Sequence, residues 1–156
     1  MIKLTRIDDR LLHGQVAFTW VPSLGVDCLI IANDKVAKDE FQKMTLTLAK
    51  PPSAKLLIKS IADTVLFLND TRSASLKILI LLNSVQDALM LAQQVTEIRS
   101  INFGGIRVKE GAKSISKAVA VTKEDIAFTR QLFDKGIELE VRQVPSDSKQ
   151  LLQTLI

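Results

Sequence analysis

Residues Ile78 to Leu82 are five consecutive aliphatic side chains, preceded only by Lys77. A strand with one wet face alternates apolar and polar residues, and this one does not, so it reads as a parallel strand covered on both faces and as the middle of its sheet. Around it the chain alternates strand-like and helix-like stretches, the pattern of an open α/β sheet. The expected fold is α/β: an open, mostly parallel twisted sheet of about seven strands with helices on both faces and antiparallel pairing near one end.

The first strand runs from Ile2 to Asp8, and a short helix from Val16 to Trp20 is limited by Pro22, which fits poorly in a helix interior. Gly25 permits the turn into a strand over Asp27 to Ala32. Asn33 and Asp34 can cap a helix from about Ala37 to Ala49, with Phe41, Met44 and Leu48 on one face. Pro51 and Pro52 end it. A strand over Ala54 to Ile58 precedes a helix over Ser60 to Leu68, in which Ile61, Val65 and Leu68 fall together.

Ser84 and Asp87 resemble a capping box for a helix over Val85 to Val95. A strand over Ser100 to Phe103 leads through Gly104 and Gly105 to another near Ile115 to Val121. That connection is too brief for a parallel crossover, so antiparallel pairing is expected there. Thr122 and Asp125 start a helix to Lys135, stopped by Gly136. Ile137 to Val144 alternates, with Glu138, Glu140 and Arg142 on its wet side, and Ser146 or Asp147 can cap a final helix that docks Leu151, Leu152, Leu155 and Ile156.

The length of 156 residues and 47% hydrophobic content fit one domain over residues 1–156 with a two-sided core. A formal charge of +4, not gathered into any block, weakly favours an acidic protein partner. No basic run interleaved with aromatics appears, so nucleic acid is not expected. The lone Cys28 excludes an internal disulfide and a cysteine-rich metal site, and reads as buried. The longest apolar run is too short to span a bilayer, so a cytoplasmic protein without direct membrane insertion is expected. Trp20, Phe41 and Phe133 read as core.

Chemistry concentrates in one loop, Arg6 to Gln15, RIDDRLLHGQ, between the first strand and the helix after it. Carboxyl ends of strands are where open α/β sheets bind ligands. The loop holds the only histidine, His13, whose neutral imidazole is a competent nucleophile toward phosphorus near neutral pH. Arg6 and Arg10 can neutralise the equatorial oxygens of a transferring phosphoryl group. Gly14 admits a close anion, and with Gln15 it opens a helix whose N–H groups can face phosphate.

Asp8 or Asp9 could orient the imidazole or hold an arginine, and the residues alone do not separate these uses. Taken singly, each feature has a plainer explanation: a structural histidine, paired surface arginines, an ordinary turn glycine. Gathered at the end of the first strand, they favour a phosphate site. Asn33, Asp34, Asn83 and Ser84 share that rim but read as helix caps. Gly104 and Gly105 suit either a turn or a close approach. Phosphate-loop, dinucleotide and metal-ligand spacings are absent, and neither metal nor cofactor is called for.

At RIDDRLLHGQV the sequence resembles the IIB component of the mannose, fructose and sorbose family of the bacterial sugar phosphotransferase system. The likeness continues through Pro51-Pro52, NFGG at Asn102 to Gly105, and GIELEVRQVP at Gly136 to Pro145. The resemblance implies a cytoplasmic phosphocarrier that takes a phosphoryl group from a histidine of a separate IIA component. It would pass the group to a sugar moved by the membrane components IIC and IID. It also implies that His13 is phosphorylated on Nδ1 and that Arg6 and Arg10 bind phosphate. The alternative from another class is a non-catalytic module that holds phosphate or another anion without bonding it to His13. A phosphatase with a histidine intermediate would want a second histidine or an acid for the leaving group, and no second histidine exists.

Overall fold

The computed structural model describes residues 1–156. In chain order it contains β1 (Ile2–Asp8), a π-helical turn (Val16–Trp20) running into α1 (Val21–Leu24), and β2 (Cys28–Ala32). Then come α2 (Asp34–Ala37), α3 (Glu40–Thr47), β3 (Lys55–Lys59), α4 (Ile61–Leu68), a 3-10 stretch (Thr71–Ser75), β4 (Ile78–Leu82) and α5 (Val85–Ala92). The remainder is β5 (Ser100–Gly105), β6 (Lys113–Ser114), β7 (Ala120–Val121), α6 (Lys123–Asp134), β8 (Glu138–Val141), β9 (Gln150–Leu151) and a 3-10 turn (Leu152–Thr154).

Seven strands form one sheet in the order β3-β2-β4-β1-β5-β8-β9. Every pairing is parallel except β8 with β9. Five aliphatic residues of β4 are buried, as its composition requires, yet the central strand is its neighbour β1. Alternate residues serve opposite faces. Ile7, Ile30, Ile80 and Leu82 pack with the buried sides of α4, α5 and α6, and Leu4, Leu29, Ile31, Leu79 and Leu81 pack under the π turn, α1 and α2. Centring the sheet on β1 brings the segment leaving its carboxyl end to the middle of the upper rim.

Several elements depart from the sequence expectation. The segment Ile115 to Val121 adds no strand to the main sheet; β6 and β7 pair with each other as a separate antiparallel ribbon. Antiparallel pairing at the sheet's end comes from β9, where a helix was expected. Asp147 accepts the N–H groups of Gln143 and Val144 at 3.1 and 3.2 Å, closing a turn instead of opening a helix. The chain then returns along β8 and sinks Leu152 into the core.

Pro22 does not stop the second element. The bonding pattern changes from π to α at Val21, with the proline in the first turn of α1, where its missing N–H costs little. Gly25, at φ 65°, ends it. The helix expected over Ala37 to Ala49 is divided: Asn33 caps α2, and Asp39 caps α3 afresh by accepting the Gln42 N–H. No residue of α3 is fully buried, and Phe41, Met44 and Leu48 face outward. Only Leu46 and Ala49 lean on the core. Trp20 is buried and Phe133 half-buried.

Replacing Ile80, fully buried in β4, with alanine should lower unfolding free energy by about 2–5 kcal/mol. Phe41→Ala should change it by less than about 0.5 kcal/mol. Urea denaturation of the two variants checks both; a large loss in the Phe41 variant would mean that α3 packs inward.

Candidate functional site

β1 ends with Arg6 and Asp8 on the same face, two residues apart, at the centre of the rim. The chain then turns sharply. Leu11 adopts φ 57°, a left-handed conformation that costs a non-glycine residue roughly 1–2 kcal/mol. Burial of Leu11 and Leu12, each contributing about 1.5–3 kcal/mol, outweighs that cost. The Leu11 N–H donates to the Asp8 carbonyl at 2.8 Å, and Ala17 N–H to the His13 carbonyl at 3.0 Å. His13 is thereby fixed where the helix begins, and the N–H groups of Gly14 and Gln15 fall in its first turn, ahead of any helical acceptor.

Asp8 organises the loop. Its side chain is 1% exposed, and Oδ2 lies 2.8 Å from His13 Nε2 and accepts from Arg6 Nη2 at 3.1 Å. Oδ1 accepts the Arg10 backbone N–H at 3.0 Å. Burial pushes the Asp8 carboxyl upward, but the His13 hydrogen bond, the Arg6 charge and the Arg10 N–H together outweigh it and hold its pKa below the usual carboxylate value. An ionised carboxylate can only accept, so His13 Nε2 carries the proton and a neutral ring keeps its lone pair on Nδ1. The imidazole is 14% exposed, at the mouth of the rim.

The two arginines separate. Arg10 is 55% exposed, with Nε 4.0 Å from Asp8, and its guanidinium is available to an incoming anion. Arg6 is 0% exposed: Nη1 donates to Asn102 Oδ1 at 2.8 Å and to the Arg142 carbonyl at 3.2 Å, while Nη2 is spent on Asp8. Arg6 Nε alone has no partner, and the two expected phosphate-binding arginines are placed one exposed beside the loop and one buried beneath it. Desolvation pulls the Arg6 pKa down, partly offset by Asp8.

The alternatives left open for the two aspartates are also resolved. Asp9 takes no part in the histidine contact; its Oδ2 accepts from the Arg107 backbone and Nε at 2.8 and 3.0 Å. Gly14 is exposed, and a Cβ there would meet nothing nearer than the Phe18 ring at 3.9 Å. Its missing side chain thus matters only to what approaches from outside. Gln15 is half-buried in the same turn. Gly104 has a different reason: a Cβ would lie 2.0 Å from Arg6 Cζ, so the guanidinium occupies the side-chain volume that glycine leaves free.

Sequence reasoning missed the support beneath the loop. Trp20 has the guanidinium carbons of Arg6 and Arg142 at 5.5 and 5.1 Å from its ring centroid. Its Nε1 donates to the Gln143 carbonyl at 3.1 Å. Asn102 and Glu140 continue the polar contacts into β5 and β8. Asn102 carried a signal, a polar residue between Ile101 and Phe103, whereas Glu140 alternates with Leu139 and Val141 as a residue on a wet face would. A cleft of about 650 Å³ opens beside the loop, lined by Arg10, Arg107, Ser116 and Lys117 among others. His13 stands outside that lining.

This is an α/β protein with a cluster of Asp8, His13 and Arg6 at the carboxyl rim of its sheet and Arg10 exposed beside it. A model of the family described as PTS system sorbose subfamily IIB component matches residues 2–156, and the chain belongs to that family. It is 35% identical over 156 residues to the mannose-specific EIIAB component of Escherichia coli, covering 100% of this chain and 48% of that protein. The chain thus spans about half the length of that relative. A probable phosphotransferase enzyme IIB component of Streptococcus pyogenes is 35% identical over 163 residues, covering 100% of this chain and 99% of that one. The crystal structure of the IIB domain of the Klebsiella pneumoniae sorbose permease superposes with a TM-score of 0.93 at 32% identity. The superposition covers 99% of this chain and 94% of that one.

Gly104→Ala should lower the melting temperature and displace Arg6, whereas Gly105→Ala, whose Cβ would approach Asp8 no closer than 3.5 Å, should fold normally. Thermal unfolding separates them; equal stabilities would refute the fit of Arg6 over Gly104. Because the Asp8 pKa is depressed on folding, its contribution is present above the unfolded value of about 3.9 and lost as pH falls toward the folded one. Asp8→Asn should therefore be less stable than the parent at neutral pH, with the gap narrowing below about pH 4. A gap independent of pH would contradict the assignment.

Proposed function

We propose that this protein is a cytoplasmic phosphocarrier of a sugar phosphotransferase system, a single IIB domain over residues 1–156. In this reading His13 Nδ1 attacks the phosphoryl group carried by a histidine of a IIA component. The new N–P bond forms as the donor's N–P bond breaks, and the donor imidazole leaves with its electron pair. The phosphoryl group then passes to a hydroxyl of a sugar moved by membrane components IIC and IID. A phosphate ester replaces the P–N bond, so this second transfer runs downhill.

The observation that carries the reading is the 2.8 Å contact of His13 Nε2 with an ionised, buried Asp8. It leaves Nδ1 as the nucleophile, orients the ring, and stabilises the positive charge that the ring gains as phosphorus bonds. Arg10 and the first-turn N–H groups of Gly14 and Gln15 meet the equatorial oxygens. Arg6, beneath the loop, acts through Asp8 and through its field, and Asp9 braces Arg107. The arginines supply the positive charge that a metal supplies in other phosphoryl transfers. Family membership supports the partners, as do the names of relatives that join an A component to a B component. No helix is long and apolar enough to cross a membrane, which suits a carrier docking onto membrane components.

Incubation with phosphoenolpyruvate, the general phosphotransferase enzymes and a cognate IIA should add one acid-labile, base-stable phosphoryl group. His13→Ala should remain folded and unlabelled; persistent labelling would eliminate His13. Arg10→Lys keeps the charge but loses the planar fork, and should slow labelling about 10- to 100-fold with the same endpoint. A wild-type rate would reduce Arg10 to scaffolding. Phosphate that dialyses away from the wild type would favour the non-catalytic anion-binding module.

A further inference from the structure

Across β1, β5 and β8 runs a row of polar side chains where neighbouring strands carry aliphatic ones. Arg6 is in register with Asn102, and Asn102 with Glu140. Their exposures are 0%, 1% and 3%. Nδ2 of Asn102 donates to Glu140 Oε1 at 3.1 Å and to the Arg142 carbonyl at 3.2 Å, while its Oδ1 accepts from Arg6 Nη1. Glu140 also grips Arg142 at 2.9 and 3.1 Å. One unbroken chain of side-chain contacts therefore runs from Arg142 through Glu140, Asn102, Arg6 and Asp8 to the His13 ring. Packing alone does not account for it, since apolar residues of similar volume would hold three adjacent strands at least as well.

We propose that Glu140 is a positioning residue for phosphoryl transfer at His13, acting through Asn102 and Arg6; this rests on the reading of His13 as the acceptor. The Asn102 amide could face either way, but a carboxylate can only accept. Glu140 therefore draws the amide nitrogen to itself and turns Oδ1 toward Arg6. That fixes the guanidinium plane, which in turn fixes Asp8 against His13 Nε2. Glu140 also gives Arg142 its own counter-charge.

The test uses Glu140→Gln and Asn102→Ala with 15N-labelled histidine, at about pH 8, above the ordinary histidine pKa of about 6.5. Asn102→Ala cuts the chain while leaving the pairs Arg6–Asp8 and Glu140–Arg142 each intact, so it carries the test if Glu140→Gln fails to fold. In the wild type the ring nitrogen shifts should report a proton on Nε2 and a bare Nδ1. In both variants the two shifts should move toward each other as tautomers mix, and single-turnover labelling from phosphorylated IIA should slow about 10- to 100-fold with one phosphoryl group still added. Glu140→Asp should recover part of both effects. A folded variant with wild-type ring shifts, or with displaced shifts and a wild-type rate, overturns the proposal. Should the wild type prove unlabelled at His13, the functional reading fails first, and the ring shifts still report whether the chain of contacts reaches the histidine.

Discussion

Asp8 is a carboxylate withdrawn from water that pairs at once with Arg6 Nη2, the His13 ring and the Arg10 backbone N–H. A buried charge of this kind is tolerated only when its partners are in place before any ligand arrives. The loop geometry follows from that requirement. The left-handed turn at Leu11, the burial of Leu11 and Leu12, and the start of the helix at His13 all bring the ring back over Asp8. The imidazole is thus held at one nitrogen and open at the other, the condition for a nucleophile that must accept a group and release it again.

The sheet makes this arrangement possible by placing β1 at its centre. Helices cover both faces, so β1 can spend one face near its carboxyl end on polar contacts while its other face, with Ile7, stays in the larger core cluster. Register does the rest, because Arg6, Asn102 and Glu140 fall side by side on three adjacent parallel strands. Gly104 leaves its side-chain volume to the Arg6 guanidinium. Arg10 stays exposed, with an open cleft beside it.

Much of this was legible in the sequence. The aliphatic run of β4 and the capping patterns at Ser84 and Thr122 announced a parallel α/β sheet, and the loop around His13 marked the candidate site after its first strand. What was not legible depends on tertiary partners. The alternation of Ile137 to Val144 looked like a strand with a wet face because Glu140 and Arg142 are ionic, and only the neighbouring Asn102 reveals Glu140 as internal. Arg6 and Arg10 were indistinguishable until the fold sank one and exposed the other. Phe41, Met44 and Leu48 kept a helical spacing that normally marks a buried stripe, yet α3 is anchored by its cap and by Leu46 and Ala49. Spacing identifies a face; it does not say which way the face turns.

If Asp8 occupies one ring nitrogen of His13, the other is left for phosphorus. Long-range 15N–31P couplings in the phosphorylated, 15N-labelled protein test it most directly. Phosphorus should be bonded to Nδ1 while Nε2 keeps its proton toward Asp8. Phosphorus found on Nε2 would contradict it, because the Asp8 contact would then have to break for the group to be carried at all.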